Sequence, residues 1–318
     1  MSRDPIVRQF AEQNMIGTSG RQRVAKEAFY NLELELPPLT EQKAIANILS
    51  TIDDKIENNL AINKTLEDMA MALYKHWFVD FEFPVSQENR NPVPVEGSHQ
   101  ESATLPKKGS HPLGYKSAGG EFIDSELGPI PKGWEVRKIG EVIETLGGGT
   151  PKTKEKSFWE DGGILWYSPT DLTRENSIFS LDSAKKITEL GLQKSSAKLF
   201  PPYSLLMSSR ATIGALTINT VEASTNQGFI TMIPNDKLSI HQLFCWTKSN
   251  LDLIISKANG STFKEISKTN FRNLDIVVGK NIDEYLKSSK GIFDKVENNI
   301  RENQSLTQLR DTLLPKLI

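Results

Sequence analysis

The sequence is short of the residues on which several kinds of protein depend. One cysteine, Cys245, stands among 318 residues. A disulfide framework needs cysteine pairs and a thiolate zinc site needs a cluster, so both are excluded, and the usage fits a reducing cytosol. Four histidines are scattered along the chain, two of them in a Pro- and Ser-rich stretch. They offer no metal-ligand cluster and no evident general base, and His76, inside a helical pattern, reads as a surface or seam residue. No run of about 18 apolar residues is present to span a bilayer, and the opening "MSRDPIVRQF" lacks the apolar stretch of a signal peptide. A soluble cytoplasmic protein with no membrane partner is expected.

Excess charge is nearly absent as well, with 38 Lys and Arg against 40 Asp and Glu. The net charge of −2 argues weakly against nucleic-acid binding, but the average hides an asymmetry. Residues 31–82 hold ten acids against four lysines, whereas residues 130–280 hold nineteen Lys and Arg against fifteen acids. An acidic rod is joined to a mildly basic domain, and any phosphate-binding surface is expected on the latter.

What the sequence does contain is a repetition. "DKIENN" at residues 54–59 returns as "DKVENN" at residues 294–299, and Ile52, Asn63, Leu66 and Leu73 recur at the same offset as Ile292, Asn303, Leu306 and Leu313. After "ELPPLTEQ", Thr40 is the expected helix cap. Heptads then place Ile45, Ile52, Asn59, Leu66 and Leu73 at one seam position and Leu49, Ile56, Asn63, Ala70 and Trp77 at the other. That period predicts a coiled-coil helix over residues 40–78, about 58 Å long. The second copy is rougher, with Arg310 in the place of Ala70 and Gly291 weakening its start. Buried amides cost stability unless paired, so the repeated asparagines, set opposite one another, would fix register and orientation in an antiparallel pair. The predicted pairing set is Ile52, Ile56, Asn59, Asn63 and Leu66 against Ile292, Val296, Asn299, Asn303 and Leu306. The alternative is that these positions face solvent; the repeat favours pairing.

The repetition extends upstream. "VAKEAFYNLELELP" and "ISKTNFRNLDIVVG" share Phe29 with Phe271, Asn31 with Asn273 and Leu32 with Leu274, each followed by an alternating strand pattern, Leu34 and Leu36 or Ile276 and Val278, and "GTSG" from Gly17 echoes "GSTF" from Gly260. Each unit therefore reads as the last strand of a globular domain feeding a long helix. Residues 84–121 are rich in Pro, Gly and Ser and read as a linker that cannot bury a core. From "SELGPIPKGWEV" onward, β-branched and aromatic runs alternate with Gly and Pro turns, and "SIHQLFCWTKSNLDLIISKAN" predicts a helix. The expected fold class is α+β, one mixed α/β domain plus two long antiparallel helices. The expected order is a domain remnant at 1–38, a long helix at 39–83, the linker at 84–121, the globular domain at 122–280 and a second long helix at 281–318.

The pieces "LPPLTEQKAIANILSTIDDKIENN", "ALYKHWFVDF", "SELGPIPKGWEV", "GGGTPKT", "LMSSRATIGA", "STNQGF" and "NGSTFKEISKTNF" closely resemble the specificity subunits of type I restriction-modification systems. The resemblance covers most of the chain outside the linker. It implies target-recognition domains that each read half of a bipartite double-stranded DNA site, and antiparallel helices that space them and dock modification (methyltransferase) subunits. Through these subunits, and a restriction subunit indirectly, the assembled complex would carry adenine-N6 methylation and ATP-dependent cleavage. The family pattern has two complete recognition domains; here about 36 residues precede the first matching helix, which implies a half-length form.

Catalysis by the chain itself is not supported. Phe200 stands before Pro201, Pro202 and Tyr203 where an adenine methyltransferase would need Asn or Asp, so that segment reads as a turn. "LGGGTPKTK" lacks the spacing of a phosphate-wrapping P-loop. No catalytic residue, metal or cofactor is assigned. DNA reading is better supplied, because Arg and Lys suit guanine, Asn and Gln suit adenine, and Lys, Ser, Thr and backbone N–H groups suit phosphates. Ser208, Ser209 and Arg210 end one apolar strand, and Ser224, Thr225, Asn226 and Gln227 end another. Thr150, Lys152, Lys154 and Lys156 lie on the Gly-rich loop, whose glycines would let the backbone approach a phosphate. Trp166 and Tyr167 alternate sides of a strand, one facing the core, with Ser168, Thr170 and Asp171 as the nearby contacts. Lys264 and Lys268 are phosphate candidates. Against these stand ordinary roles: Asn226 and Gln227 closing a turn, Arg210 paired with Glu222, the lysines solvated.

Two functional readings follow. One is a non-catalytic DNA-reading subunit. The other is a truncated module that captures modification subunits, or another half-subunit, without reading DNA. Two copies around a twofold axis would restore a second recognition domain and make the target an interrupted palindrome.

Overall fold

The computed structural model describes residues 5–17, 22–33, 37–85, 114–210, 212–260, 264–280 and 282–317. The chain divides into two compact units, one of Met1–Asn63 with Asn298–Ile318 and one of Lys64–Glu297. It opens with helix α1 (Pro5–Gln13), strands β1 (Met15–Ile16) and β2 (Arg23–Val24), a 3-10 turn at Lys26–Asn31 and helix α2 (Leu39–Phe78). Next come β3 (Phe122–Ile123), β4 (Ile130–Pro131), β5 (Glu135–Lys138), α3 (Ile139–Val142), β6 (Glu144–Gly147), β7 (Ile164–Tyr167) and α4 (Pro169–Glu175). They are followed by β8 (Phe179–Ser180), β9 (Lys185–Ile187), α5 (Glu189–Gln193), β10 (Leu205–Ser208), β11 (Leu216–Asn219), β12 (Ala223–Thr225) and β13 (Phe229–Ile233). The chain closes with α6 (Ile240–Ser249), α7 (Leu251–Ser256), α8 (Lys268–Arg272), β14 (Asp275–Val278) and α9 (Ile282–Leu317). The fold is α+β.

In the first unit, the amide pairs set the direction of the helices. Asn59 Nδ2 donates to Asn303 Oδ1 at 2.8 Å, and Asn299 Nδ2 donates to Asn63 Oδ1 at 2.8 Å. The partner number falls as the first rises, which makes α2 and α9 antiparallel, and each pair joins the earlier asparagine of one copy to the later asparagine of the other. Asn59 and Asn299 are each 1% exposed, where an unpaired amide would be costly. Ion pairs flank the seam, Lys55 Nζ to Glu302 Oε2 at 3.1 Å and Arg310 Nη1 to Asp53 Oδ1 at 2.9 Å. Ile52 is buried, and Ile45, Leu49, Ile56 and Leu306 are half-buried. Thr40, expected as the cap, lies inside the first turn instead: the Pro38 carbonyl accepts from the Glu41 and Gln42 amides, so the proline carbonyl closes the turn. The strand expected around Leu34 and Leu36 lies outside the described residues.

In the second unit, β6, β13, β10, β11 and β8 form a sheet in that order, and β12, β7 and β9 form a second. Strand β7 is central in its sheet, and here the sequence expectation needs correction. Trp166 and Tyr167 do point to opposite faces, yet both are buried, because both faces are covered. Tyr167 packs with Leu172, Leu206 and Phe229, and Trp166 with Ile187 and Ala197. The expected single helix after Ser239 is broken at Asn250 into α6 and α7. Strand β14 pairs antiparallel with β5 and then feeds α9.

The segment expected to be a linker also differs at its ends. Pro84 bridges Gly114, Tyr115 stacks on Phe83 at 4.8 Å, and Ala118 is buried. The reason is aromatic: Trp77, Phe78, Phe83, Trp134 and Tyr285 form one cluster with centroids 4.9–6.4 Å apart, and Tyr115 joins it. Residues 86–113 of that segment lie outside the described residues. On α9 the buried side chains of this unit are Tyr285, Ser289, Phe293 and Val296, with Ile292 half-buried, and on α2 Leu66 is half-buried. A two-helix heptad misses Phe293 because that ring serves α6: it stacks on His241 at 4.0 Å and meets Phe244 edge-on. Burial pushes His241 down to about 4, so it is neutral near pH 7, with Nδ1 2.8 Å from Ser289 Oγ.

Candidate nucleic-acid interface

Strand register gathers the predicted residues. In the five-stranded sheet, Ser208 at the end of β10 pairs with Phe229, and Gly147 at the end of β6 pairs with Ile230, both at the start of β13. In the three-stranded sheet, Thr225 at the end of β12 pairs with Tyr167 at the end of β7. Backbone bonds join the two sets: Asn226 N donates to Tyr167 O at 3.0 Å, Gly149 N to Thr225 O at 2.8 Å, and Ser209 N to Gly228 O at 2.8 Å. The segments leaving β6, β7, β10 and β12 therefore meet at one edge.

At that edge Thr150 Oγ1 donates to Gln227 Oε1 at 2.7 Å, both residues exposed. Asn226 is half-buried and its Oδ1 accepts from the Gly228 amide at 2.8 Å, which closes the turn and leaves the exposed Gln227 at its tip. The role expected of the glycines is corrected. A Cβ at Gly148 would collide with the carbonyl oxygens of Thr225 and Asn226, and one at Gly149 with Ser196, so these glycines allow protein segments to approach each other. The loop beyond carries Lys152, Lys154 and Lys156 exposed, and is anchored where Trp159 Nε1 donates to Lys152 O at 3.2 Å.

Three further expectations change. Asp171 is buried and its carboxylate is occupied: it accepts from Ser168 N at 2.8 Å, Ser168 Oγ at 2.7 Å and Ala184 N at 2.9 Å. Ser168 and Asp171 thus start α4 and lock β7 to the segment before β9, while Thr170 stays exposed. Ser208 and Ser209 are buried, their backbones held in the frame. Arg210 does not pair with Glu222. Its Nε donates to Glu265 Oε1 at 2.7 Å, and its backbone bridges Glu265. Lys264 and Lys268 are exposed on either side of Glu265 and Ile266, with the Ile266 amide bonded to Ser209 O at 3.0 Å.

Sequence reasoning missed Glu265 and the segment at Ser196 and Lys198, which packs beside Gly149 and exposes both side chains. One signal for Glu265 was available. It sits in the repeated hairpin whose first copy pairs Ile16 with Arg23.

A family model described as the type I restriction modification DNA specificity domain matches residues 8–68 and 131–309. The chain belongs to that family. The specificity chain is 27% identical over 327 residues to the HindI specificity subunit of Haemophilus influenzae, covering 93% of this chain and 70% of that protein. It is 32% identical over 193 residues to the MjaIX specificity subunit of Methanocaldococcus jannaschii, covering 59% of this chain and 44% of that one. A solved type I restriction-modification S subunit from M. genitalium superposes with a TM-score of 0.54 at 18% identity, covering 96% of the specificity chain and 68% of that structure. That likeness is one of fold. No helix among the described residues of the specificity chain is long and apolar enough to cross a membrane.

Proposed function

We propose that this specificity chain is the non-catalytic, sequence-reading subunit of a type I restriction-modification assembly. Residues 122–280 form its target-recognition domain and contact one half of a bipartite duplex site. Residues 39–83 and 281–318 form the spacer that docks modification subunits, residues 84–121 connect the two parts, and residues 1–38 are the remnant of a first recognition domain. The observation that carries this reading is the convergence of four strand ends on one edge, where Thr150, Thr170, Arg210, Gln227 and Lys264 are exposed. Side chains with both donors and acceptors suit base edges, and the lysines of the neighbouring loop suit phosphates. The assembly acts in the cytoplasm, where its partners supply adenine methylation and ATP-dependent cleavage.

The exchange of positions between the two asparagine pairs supports a twofold relation between the repeats. Two copies of the chain in one complex would place identical recognition domains on opposite strands, and the target becomes an interrupted palindrome. Co-expression with the cognate modification subunit, followed by genome-wide mapping of methylated adenines, tests both statements. Methylation of an interrupted palindrome is expected. Absence of any motif defeats the reading function, and an asymmetric motif made without another specificity protein defeats the twofold. In the same complex Arg210→Ala should weaken specific binding by about 1–3 kcal/mol and relax one base position, whereas Lys152→Ala should weaken all sequences alike and reduce the salt slope by about one.

A further inference from the structure

We infer that Glu265 is a specificity-determining positioning residue, which holds the Arg210 guanidinium by its Nε side so that the opposite edge is presented to a guanine. This rests on the proposed reading of Arg210 as a base-contacting residue. Arg210 Nε donates to Glu265 Oε1 at 2.7 Å, with the two side chains 45% and 44% exposed. A guanidinium has five N–H donors; one bound at Nε leaves the four on the two terminal nitrogens. Two parallel donors are what the O6 and N7 acceptors of guanine require in the major groove.

The carboxylate is placed by the fold. Glu265 forms backbone bridges on both sides, to Arg210 and to Asn259, the latter through reciprocal N–H to C=O bonds of 2.8 Å each. Its neighbour Ile266 is buried and bonds Ser209 O at 3.0 Å. Acid and arginine therefore lie on adjacent strand segments in a fixed register, and the arginine approaches DNA with fewer rotamers to lose. Stability does not account for the pair, since exposed ion pairs contribute little. A carboxylate near DNA also opposes phosphate binding, so its presence favours a base contact over a phosphate contact for Arg210. The hairpin does not demand an acid there either, because its first copy carries Arg23 at that position.

The test uses the complex of full chain and modification subunit, with duplexes carrying the mapped motif or a single substitution of the guanine that Arg210→Ala relaxes. Glu265→Ala should reduce discrimination between the two duplexes about tenfold, with non-specific binding unchanged or stronger. Glu265→Gln, which keeps an acceptor, should recover part of the loss. The double variant Arg210→Ala/Glu265→Ala should discriminate no worse than Arg210→Ala alone. If Arg210→Ala relaxes the motif while Glu265→Ala leaves discrimination intact, or if the two losses add, the proposal fails by itself. If Arg210→Ala leaves the sequence preference unchanged, the proposal falls together with the reading of Arg210. Thermal melts of each variant separate these outcomes from misfolding.

Discussion

Phe29 and Phe271 occupy the same position of the repeat in two different surroundings. Phe271 is fully buried and meets Trp246 of α6 edge-on at 6.3 Å, whereas Phe29 is 41% exposed and meets the ring of Phe10 at 6.2 Å. The local structure around them is shared. Gly17 and Gly260 both take positive φ, 126° and 104°, where a side chain would be strained, and both precede a return segment that pairs back, Arg23 with Ile16 and Glu265 with Asn259. In both copies a short helical turn then leads toward a long helix. A repeated sequence therefore reproduces turns and hairpins, while burial depends on the elements packed outside the repeat. In the second copy those include α6, whose Trp246 meets Phe271, and α3, where the Gly140 carbonyl accepts from Arg272 beside it; among the described residues of the first unit Phe29 meets the ring of Phe10 on α1 and stays exposed.

This comparison is open to direct attack. Phe271→Ala is expected to cost about 3–5 kcal/mol through a core cavity, and Phe29→Ala less than about 1 kcal/mol. Denaturant unfolding of the two variants would break the comparison if the losses were equal. A second pair sharpens it on the long helices, where Ala70 and Arg310 are equivalent by the repeat. Ala70 is buried with Cys245 Sγ 3.7 Å from its carbonyl, whereas Arg310 is partly exposed and paired with Asp53. Ala70→Leu should cost about 1–3 kcal/mol by overpacking. Arg310→Ala should cost at most about 1 kcal/mol, a loss that shrinks as salt is raised.

The smallest difference concerns the asparagines. Asn59 donates to Asn303 and Glu302 and accepts from Lys55, while Asn299 donates to Asn63 and its Oδ1 has no hydrogen-bond partner among the described residues. Removing Asn59 leaves more groups unsatisfied. Asn59→Ala is expected to destabilise by about 2 kcal/mol and Asn299→Ala by about 1 kcal/mol. Unfolding midpoints at one pH and salt concentration measure the gap, and the reverse order would show that the two copies are not used as described.

By itself the sequence determined the period. Heptads of Ile, Leu and Asn allow one helix face to be buried, and paired amides are satisfied in one register, so α2, α9 and their antiparallel sense were legible at Asn59, Asn63, Asn299 and Asn303. The strand ends carrying Arg210 and Gln227 were legible too, since apolar runs stop there at polar residues. Tertiary structure alone decided which of those residues remain available. Both faces of β7 are covered, so Trp166 and Tyr167 are both core; Asp171 is consumed by three donors; Gly148 and Gly149 admit protein segments. Arg210 found its carboxylate 55 residues away at Glu265, not at the nearer Glu222. Local patterns fix what a segment can do with its own backbone. Which distant segment satisfies a given charge or covers a given face is set by sheet order, a many-body outcome of packing that no window of the sequence contains.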